Sequence, residues 1–141
     1  MEPWSWVLAV HILCAVLWVG GMAFALMVLR PSLAVLEPPQ RIALHQQVFR
    51  RFFLIVWHAM PLLLLSGYAM LFGLYGGFAG AAPNIHIMHL LGLIMAGIYL
   101  AIWVGPYRRF RAGDATALEP IRKLILTNLV LGVVTIVVAV L

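Results

Sequence analysis

Four long apolar stretches, separated by short polar or glycine-rich connections, dominate the pattern along this chain. They cover about residues 4–29, 52–78, 85–107 and 121–141. Each is as long as the roughly 18 residues with which a helix crosses a hydrocarbon core of about 30 Å. Strands are excluded, because an open sheet edge leaves backbone groups unpaired in lipid. The pattern therefore predicts an all-α integral membrane protein, with residues 1–141 forming a single four-helix domain.

A shorter amphipathic segment follows the first stretch. Between Pro38 and Arg51, basic and glutamine residues are interspersed with aliphatic ones, which predicts a short interfacial helix leading into the second span. His45 lies on this segment, and we expect it at the interface, outside the chemistry. The pair Arg30-Pro31 is expected to end the first helix, because the residue before a proline disfavours helical geometry.

Composition and charge then set the topology. Hydrophobic residues make up 65% of the chain and charged residues only 9%, against about 25% charged in soluble domains, so a soluble domain is excluded. All nine basic residues lie within 30–51 and 108–123, and none within 52–107. Basic connections stay in the cytoplasm, so both termini are expected outside it. This clustering indicates topology and no nucleic-acid partner. The first span lacks a basic leader and is expected to be retained.

Ionisable side chains within membrane spans mark functional sites by default, since they are costly there. On the first span, His11, Cys14, Trp18 and Met22 fall along one face at helical spacing. Imidazole, thiol and thioether groups suit Cu(I). His11 and Met22 are about 16 Å apart along the helix, so they cannot bind one ion together.

Histidines on the third span offer a second chemistry. His86 and His89 share a face, and His89 is expected at nearly the depth of His11. Opposed histidines at one depth can hold a b-type haem between two helices. Glycines would admit the flat ring, although in membrane helices they also serve close packing, and His11 could instead bond to a neighbouring helix. The glycines in question are Gly20, Gly21, Gly92 and Gly97.

His58 is expected nearer the cytoplasmic face, apart from the other histidines. It is interpreted first as a packed, hydrogen-bonded side chain, and otherwise as a single axial ligand, a proton relay or a quinone contact.

No carboxylate is predicted within the membrane, which gives nucleophilic catalysis little support and leaves enzymatic activity open. Four short helices enclose little volume, which is compatible with a homodimer. The candidate metal ligands are His11, Cys14, Met22, His58, His86 and His89.

Several short patterns resemble the copper-resistance D (CopD-like) membrane proteins. They are Trp6–Leu13 with Val16–Gly21, Leu29–Pro31, Pro106–Arg109, and Ile121–Leu124 leading to Asn128–Gly132. The first pattern also resembles HemJ-type protoporphyrinogen oxidases. The resemblance covers most of the chain and implies a four-helix core akin to diheme-type membrane cytochromes, a bacterial inner-membrane location, and copper handling or haem-linked redox chemistry. It makes His11 the best-matched functional residue, with Trp18 and Gly21 as its packing context.

Two departures separate the chain from the HemJ type. Residues 26–31 read Leu-Met-Val-Leu-Arg-Pro where that type has Leu-Pro-Arg-Leu, and no lysine follows His86. Protoporphyrinogen oxidation is therefore the second alternative. The leading hypothesis is a haem b protein that exchanges electrons with quinone or a redox partner, because haem needs only one level of ligands. The first alternative is copper transport through His11, Cys14, Met22, Met88 and His89, and a structural subunit is the third.

Overall fold

The computed structural model describes residues 2–141, which form helices joined by short connections, with no strand in that range. Four helical segments are long and apolar enough to cross a membrane, which confirms the predicted all-α fold. The chain is therefore a multi-pass membrane protein whose outer faces contact the lipid bilayer. The main helices are α1 (Pro3–Phe24), α2 (Pro38–Gly73), α3 (Pro83–Val104), α4 (Pro106–Arg111) and α5 (Leu118–Ala139).

The first helical segment continues past Arg30-Pro31. After α1 comes a π-helical turn, Ala25–Leu29, and helical turns then carry the chain to Val35. In the π turn the Arg30 N–H bonds to the carbonyl of Ala25, five residues back. This wider turn accommodates a proline ring that an α-turn would crowd. The prediction that Arg30-Pro31 ends the first helix was wrong for this reason.

The amphipathic segment and the second span form one rod, α2. This helix of 36 residues starts with a reciprocal capping box between Glu37 and Gln40. No proline or glycine occurs between Gln40 and Met60, so nothing separates an interfacial helix from the span. At 1.5 Å per residue the rod is about 54 Å long and extends well beyond a hydrocarbon core. The Arg41 Nε atom donates to the carbonyls of Leu33 and Leu36, at 3.0 and 2.8 Å, and anchors the preceding connection.

Helix packing is uneven around the bundle. Backbones pack closely between α1 and α2 and between α3 and α5, whereas α2 and α3 meet mainly through large side chains. The ring of Phe53 lies 5.6 Å from that of Tyr99 and 4.7 Å from that of Tyr107. The Tyr99 hydroxyl also donates to the Phe53 carbonyl at 3.1 Å. Aromatic side chains therefore fill the seam between α2 and α3, which we call the aromatic seam.

Two adjacent glycines on α1 allow a matched test of the α1–α2 packing. A Cβ atom at Gly21 would lie 2.2 Å from Phe52, whereas one at Gly20 would meet nothing within 4 Å. We expect Gly21→Leu to lower the free energy of unfolding by about 1–3 kcal/mol through overpacking. Gly20→Leu, with the same change in helix propensity, serves as the control. Thermal melting in detergent measures both, and equal melting temperatures would contradict the packing role of Gly21.

Candidate functional site

The face of α1 predicted from residue spacing is the face that the structure buries. Cys14, Trp18 and Met22 are 5%, 2% and 2% exposed, and His11 is half-buried at the amino-terminal end of the same stripe. Because the stripe turns towards α2 and the bundle interior, its thiol and thioether groups are withdrawn from lipid.

Hydrogen bonds orient the His11 ring. Its Nδ1 atom lies 3.0 Å from the carbonyl oxygen of Leu63 and 2.9 Å from Oγ of Ser66. A carbonyl oxygen only accepts, so Nδ1 carries the hydrogen and Nε2 keeps a free lone pair. A backbone carbonyl in this role commonly sets the tautomer of a metal-binding histidine. A Cβ atom at Gly67 would lie 3.2 Å from His11 Cε1, so the glycine makes room for the ring.

Two further soft donors lie inside the bundle. Met60 on α2 is 6% exposed and Met95 on α3 is 4% exposed, and both belong to the same buried cluster as Met22. Neither methionine could be singled out from sequence, because methionine commonly fills apolar cores. Such a residue becomes a candidate ligand only when the packing shows that its helix faces the stripe of α1 with the histidine and the cysteine.

Contacts between helices give the levels of these donors. On α2, Gly67 faces His11 and Phe52 faces Gly21, so the antiparallel register places Cys14 level with the turn that begins at Met60. On α5, Gly132 packs against both Val19 and Met95, with a Cβ there 2.8 and 3.2 Å from their side chains. Met95 is therefore level with Val19.

The interior thus holds a series of soft donors at four successive levels. In order from the amino-terminal end of α1 they are His11, then Cys14 with Met60, then Met95, then Met22. Measured as rise along α1 at 1.5 Å per residue, the series extends over about 16 Å, and successive levels differ by no more than about 8 Å. We call it the donor series.

A cavity of about 280 Å³ lies beyond the Met22 end of the donor series. It begins at Ala25, three residues after Met22, and is also lined by the part of α2 around Phe49 and by the beginning of α5. His45 lines it and is 8% exposed, with Nδ1 3.1 Å from the Arg41 carbonyl. His45 was expected at the interface, but its side chain is buried within the protein, because the extension of α1 and the start of α5 cover this part of α2. That His45 lies outside the chemistry stays a prediction.

The remaining histidines do not belong to the donor series; His89 is half-buried, and His86 and His58 are exposed. His89 is bonded through Nε2 to the Tyr68 hydroxyl at 2.7 Å. His86 stacks on Phe78 with ring centroids 6.1 Å apart. His58 is exposed on the outer surface of α2, where Nδ1 bonds to the Leu54 carbonyl at 2.8 Å.

The haem hypothesis depends on His11, His89 and the glycines beside them. Both histidines bond to one stretch of α2, Leu63 to Tyr68, so they lie at similar depth. Each bonds to α2, however, and Nε2 of His89 is already occupied by Tyr68. The space at Gly21 is filled by Phe52, whereas a Cβ atom at Gly20, Gly92 or Gly97 would meet nothing within 4 Å. These contacts do not favour a haem between α1 and α3.

Asn128 is the most buried polar side chain of α5, at 1% exposure. Its Nδ2 atom donates to the Met95 carbonyl at 3.0 Å, while Oδ1 has no hydrogen-bond partner. An unpaired amide oxygen is costly in this setting.

A three-residue metal cluster is absent from the part of the chain that the structure describes, residues 2–141: no group of three or more His, Cys, Asp or Glu side chains is placed to hold an ion there. Sites of one or two donors, completed by thioether sulfur, are what the geometry offers. Coordination with so few ligands suits Cu(I) better than the harder divalent metals.

Comparison with known proteins gives one match. The family model described as copper resistance protein D matches residues 46–141, about two thirds of the chain. The match covers α2 from Gln46 onwards and all of the later helices, while α1 lies before it. No curated protein and no solved structure matches the chain.

Proposed function

Because the chain belongs to the copper resistance protein D family, we propose that it handles copper in the membrane, passing Cu(I) along the donor series. The single observation that carries this proposal is the burial of thiol, thioether and imidazole donors at four levels within one bundle. Copper is the substrate here. The proposal replaces haem b as the leading function, since the contacts of His11, Gly21 and His89 do not favour that cofactor.

The chemistry of the donors supports Cu(I). Thiolate and thioether sulfur are soft ligands, which favour Cu(I) over Mg²⁺, Ca²⁺ or Mn²⁺. Passage requires sites that bind well enough to admit the ion and weakly enough to release it. The donor series suits this condition, because three of its four levels offer one donor each and therefore hold the ion weakly enough to release it to the next level.

The ends of the donor series suit entry and release. At the outer end, Nε2 of His11 is free to take the ion, with Cys14 one turn further in; binding to Cys14 releases the thiol proton. At the inner end, Met22 leads to the cavity that contains His45. Met60 and Met95 support the proposal, because they add donors between Cys14 and Met22, where ion passage needs further levels.

Copper binding and its dependence on the interior methionines form the direct test. We expect the purified protein, under reducing conditions, to compete for Cu(I) with a chromophoric chelator. In vesicles, Met60→Leu/Met95→Leu should slow Cu(I) entry about tenfold or more, while Leu conserves volume and costs less than about 1.5 kcal/mol per site. Met27→Leu, at a position 71% exposed, is the control. Protein that binds no Cu(I), or that shows a haem absorption band instead, would overturn the proposal.

The orientation in the membrane belongs to the same proposal. We place the connections that contain Arg30–Arg51 and Arg108–Lys123 in the cytoplasm of a bacterium, and the turn around Gly76 outside its inner membrane. The chain then moves copper between the outer His11 end and the cytoplasm. Alkaline phosphatase fused after Leu141 should be active and a fluorescent protein fused there dark. The opposite pair of signals would reverse the orientation without affecting the donor series.

A further inference from the structure

A groove of about 420 Å³ lies at the basic end of the bundle, where α2 and α3 approach α4. It is separate from the donor series and from the cavity around His45. Its volume falls within the range of ordinary small-molecule sites, about 300–1,000 Å³. Its main walls are Arg50, Leu54, Trp57, Trp103, Tyr107 and Arg111.

Two cations at the mouth of this groove have no carboxylate partner. Within residues 2–141 the ion pair found is Arg122 with Glu119, which lies elsewhere. Arg50 bonds only to the side-chain oxygen of Gln47, at 3.3 Å. The guanidinium group of Arg111 lies over the ring of Trp103, 4.8 Å from the ring centroid. A cation–π contact holds that group in place, so two positive charges on different helices face one space.

The deeper half of the groove is apolar. The ring centroids of Trp57 and Trp103 are 5.4 Å apart. Leu54, which also lines the groove, is 61% exposed. Tryptophan and tyrosine are typical of the boundary between headgroups and hydrocarbon. The groove is therefore cationic at its mouth and apolar towards the membrane centre.

We propose that this groove binds one anionic phospholipid, with the phosphate between Arg50 and Arg111 and an acyl chain along Leu54 and Trp57. A free phosphate ion would leave the indole wall uncovered. A zwitterionic headgroup would bring its own cation against two guanidinium groups, and a neutral quinone would leave both charges unpaired. Each guanidinium group can donate two parallel hydrogen bonds to phosphate oxygens, which suits a phosphodiester held between two arginines.

Lipid titration of the full chain tests the assignment. Native mass spectrometry and thermal melting in neutral detergent would compare phosphatidylglycerol, phosphatidylcholine and inorganic phosphate. We expect only phosphatidylglycerol to remain bound and to raise the melting temperature. Arg50→Gln/Arg111→Gln should weaken its binding about tenfold or more, because each arginine near a headgroup phosphate contributes about fivefold. Arg51→Gln/Arg108→Gln, which removes two exposed neighbouring charges outside the groove, should bind like the wild type.

Each other outcome overturns the proposal. Equal losses in the two double variants would mean that overall charge attracts the lipid. An equal effect of inorganic phosphate would indicate a free-anion site, and equal binding of phosphatidylcholine an apolar groove without headgroup selection. The comparison of the three ligands on wild-type protein decides the question even if the groove variant fails to fold. Because copper binding does not enter the test, the copper proposal is unaffected by the result.

Discussion

Replacing His11 with alanine is expected to abolish Cu(I) uptake into vesicles and to weaken Cu(I) binding by more than about 100-fold. The physical reason is the position of the ring: Nδ1 is held by the Leu63 carbonyl and Ser66, which directs Nε2 to the incoming ion. Partners that only orient a ligand already contribute about 10- to 100-fold in affinity, so loss of the ligand itself should cost more. Ser66→Ala should therefore show a smaller loss than His11→Ala.

His58→Ala is the matched control for this prediction. His58 also bonds through Nδ1 to a backbone carbonyl, that of Leu54 at 2.8 Å, but it is exposed on the outer surface of α2. The two variants thus remove the same chemical group, which in His11 is bonded to another helix inside the bundle and in His58 to its own helix at the surface. If His11→Ala and His58→Ala have equal affinities for Cu(I), whether retained or lost, then the proposed role of His11 in copper entry is wrong. Circular dichroism of the detergent-purified proteins would verify that both variants are folded.

Phe53→Ala is expected to cause the largest loss of stability, about 3–5 kcal/mol in the free energy of unfolding. The side chain is 1% exposed and lies at the centre of the aromatic seam, in contact with Tyr99 and Tyr107. In lipid, apolar helices gain little from burial as such, so packing contacts hold them together. Because the backbones of α2 and α3 do not pack closely, the contact between these helices depends on side chains such as Phe53.

The neighbouring residue supplies the control for Phe53. Leu54 is 61% exposed, and Leu54→Ala should change the free energy of unfolding by about 0.5 kcal/mol or less. Reversible unfolding in mixed micelles, followed by tryptophan fluorescence, measures both variants. A similar effect of the two substitutions would show that side-chain packing across the aromatic seam does not hold α2 against α3.

Two predictions from sequence differ from the structure for different reasons. At Pro31 the rule for residues before proline predicted a helix end, but the π turn directly before it, Ala25–Leu29, let the helix continue. At His45 the amphipathic pattern predicted an interface, but the start of α5 covers the side chain. The second outcome could not be read from a short window of sequence, because it depends on a segment about 70 residues further along the chain.

Some residues of the candidate site could be predicted from the sequence of one helix, and others could not. Spacing on one helix was enough to place His11, Cys14 and Met22 along a single stripe, since helical geometry is local. It could not identify Met60 and Met95, because their relevance depends on the register between α1, α2 and α5. It also grouped His89 with His11 by depth, although each histidine bonds to α2 and not to the other.

By itself, the sequence determined four membrane helices, because an uncharged run of that length must satisfy its backbone internally in lipid. It also determined which end of the bundle is basic, since all nine Lys and Arg residues lie in two connections. Only the tertiary structure decided which faces meet, which methionines join the histidine and cysteine, and where two arginines share a groove. Lipid solvates all apolar helix faces about equally well, so hydrophobicity does not determine which faces meet. The fit of side chains, such as Phe52 against Gly21, decides how the helices pack.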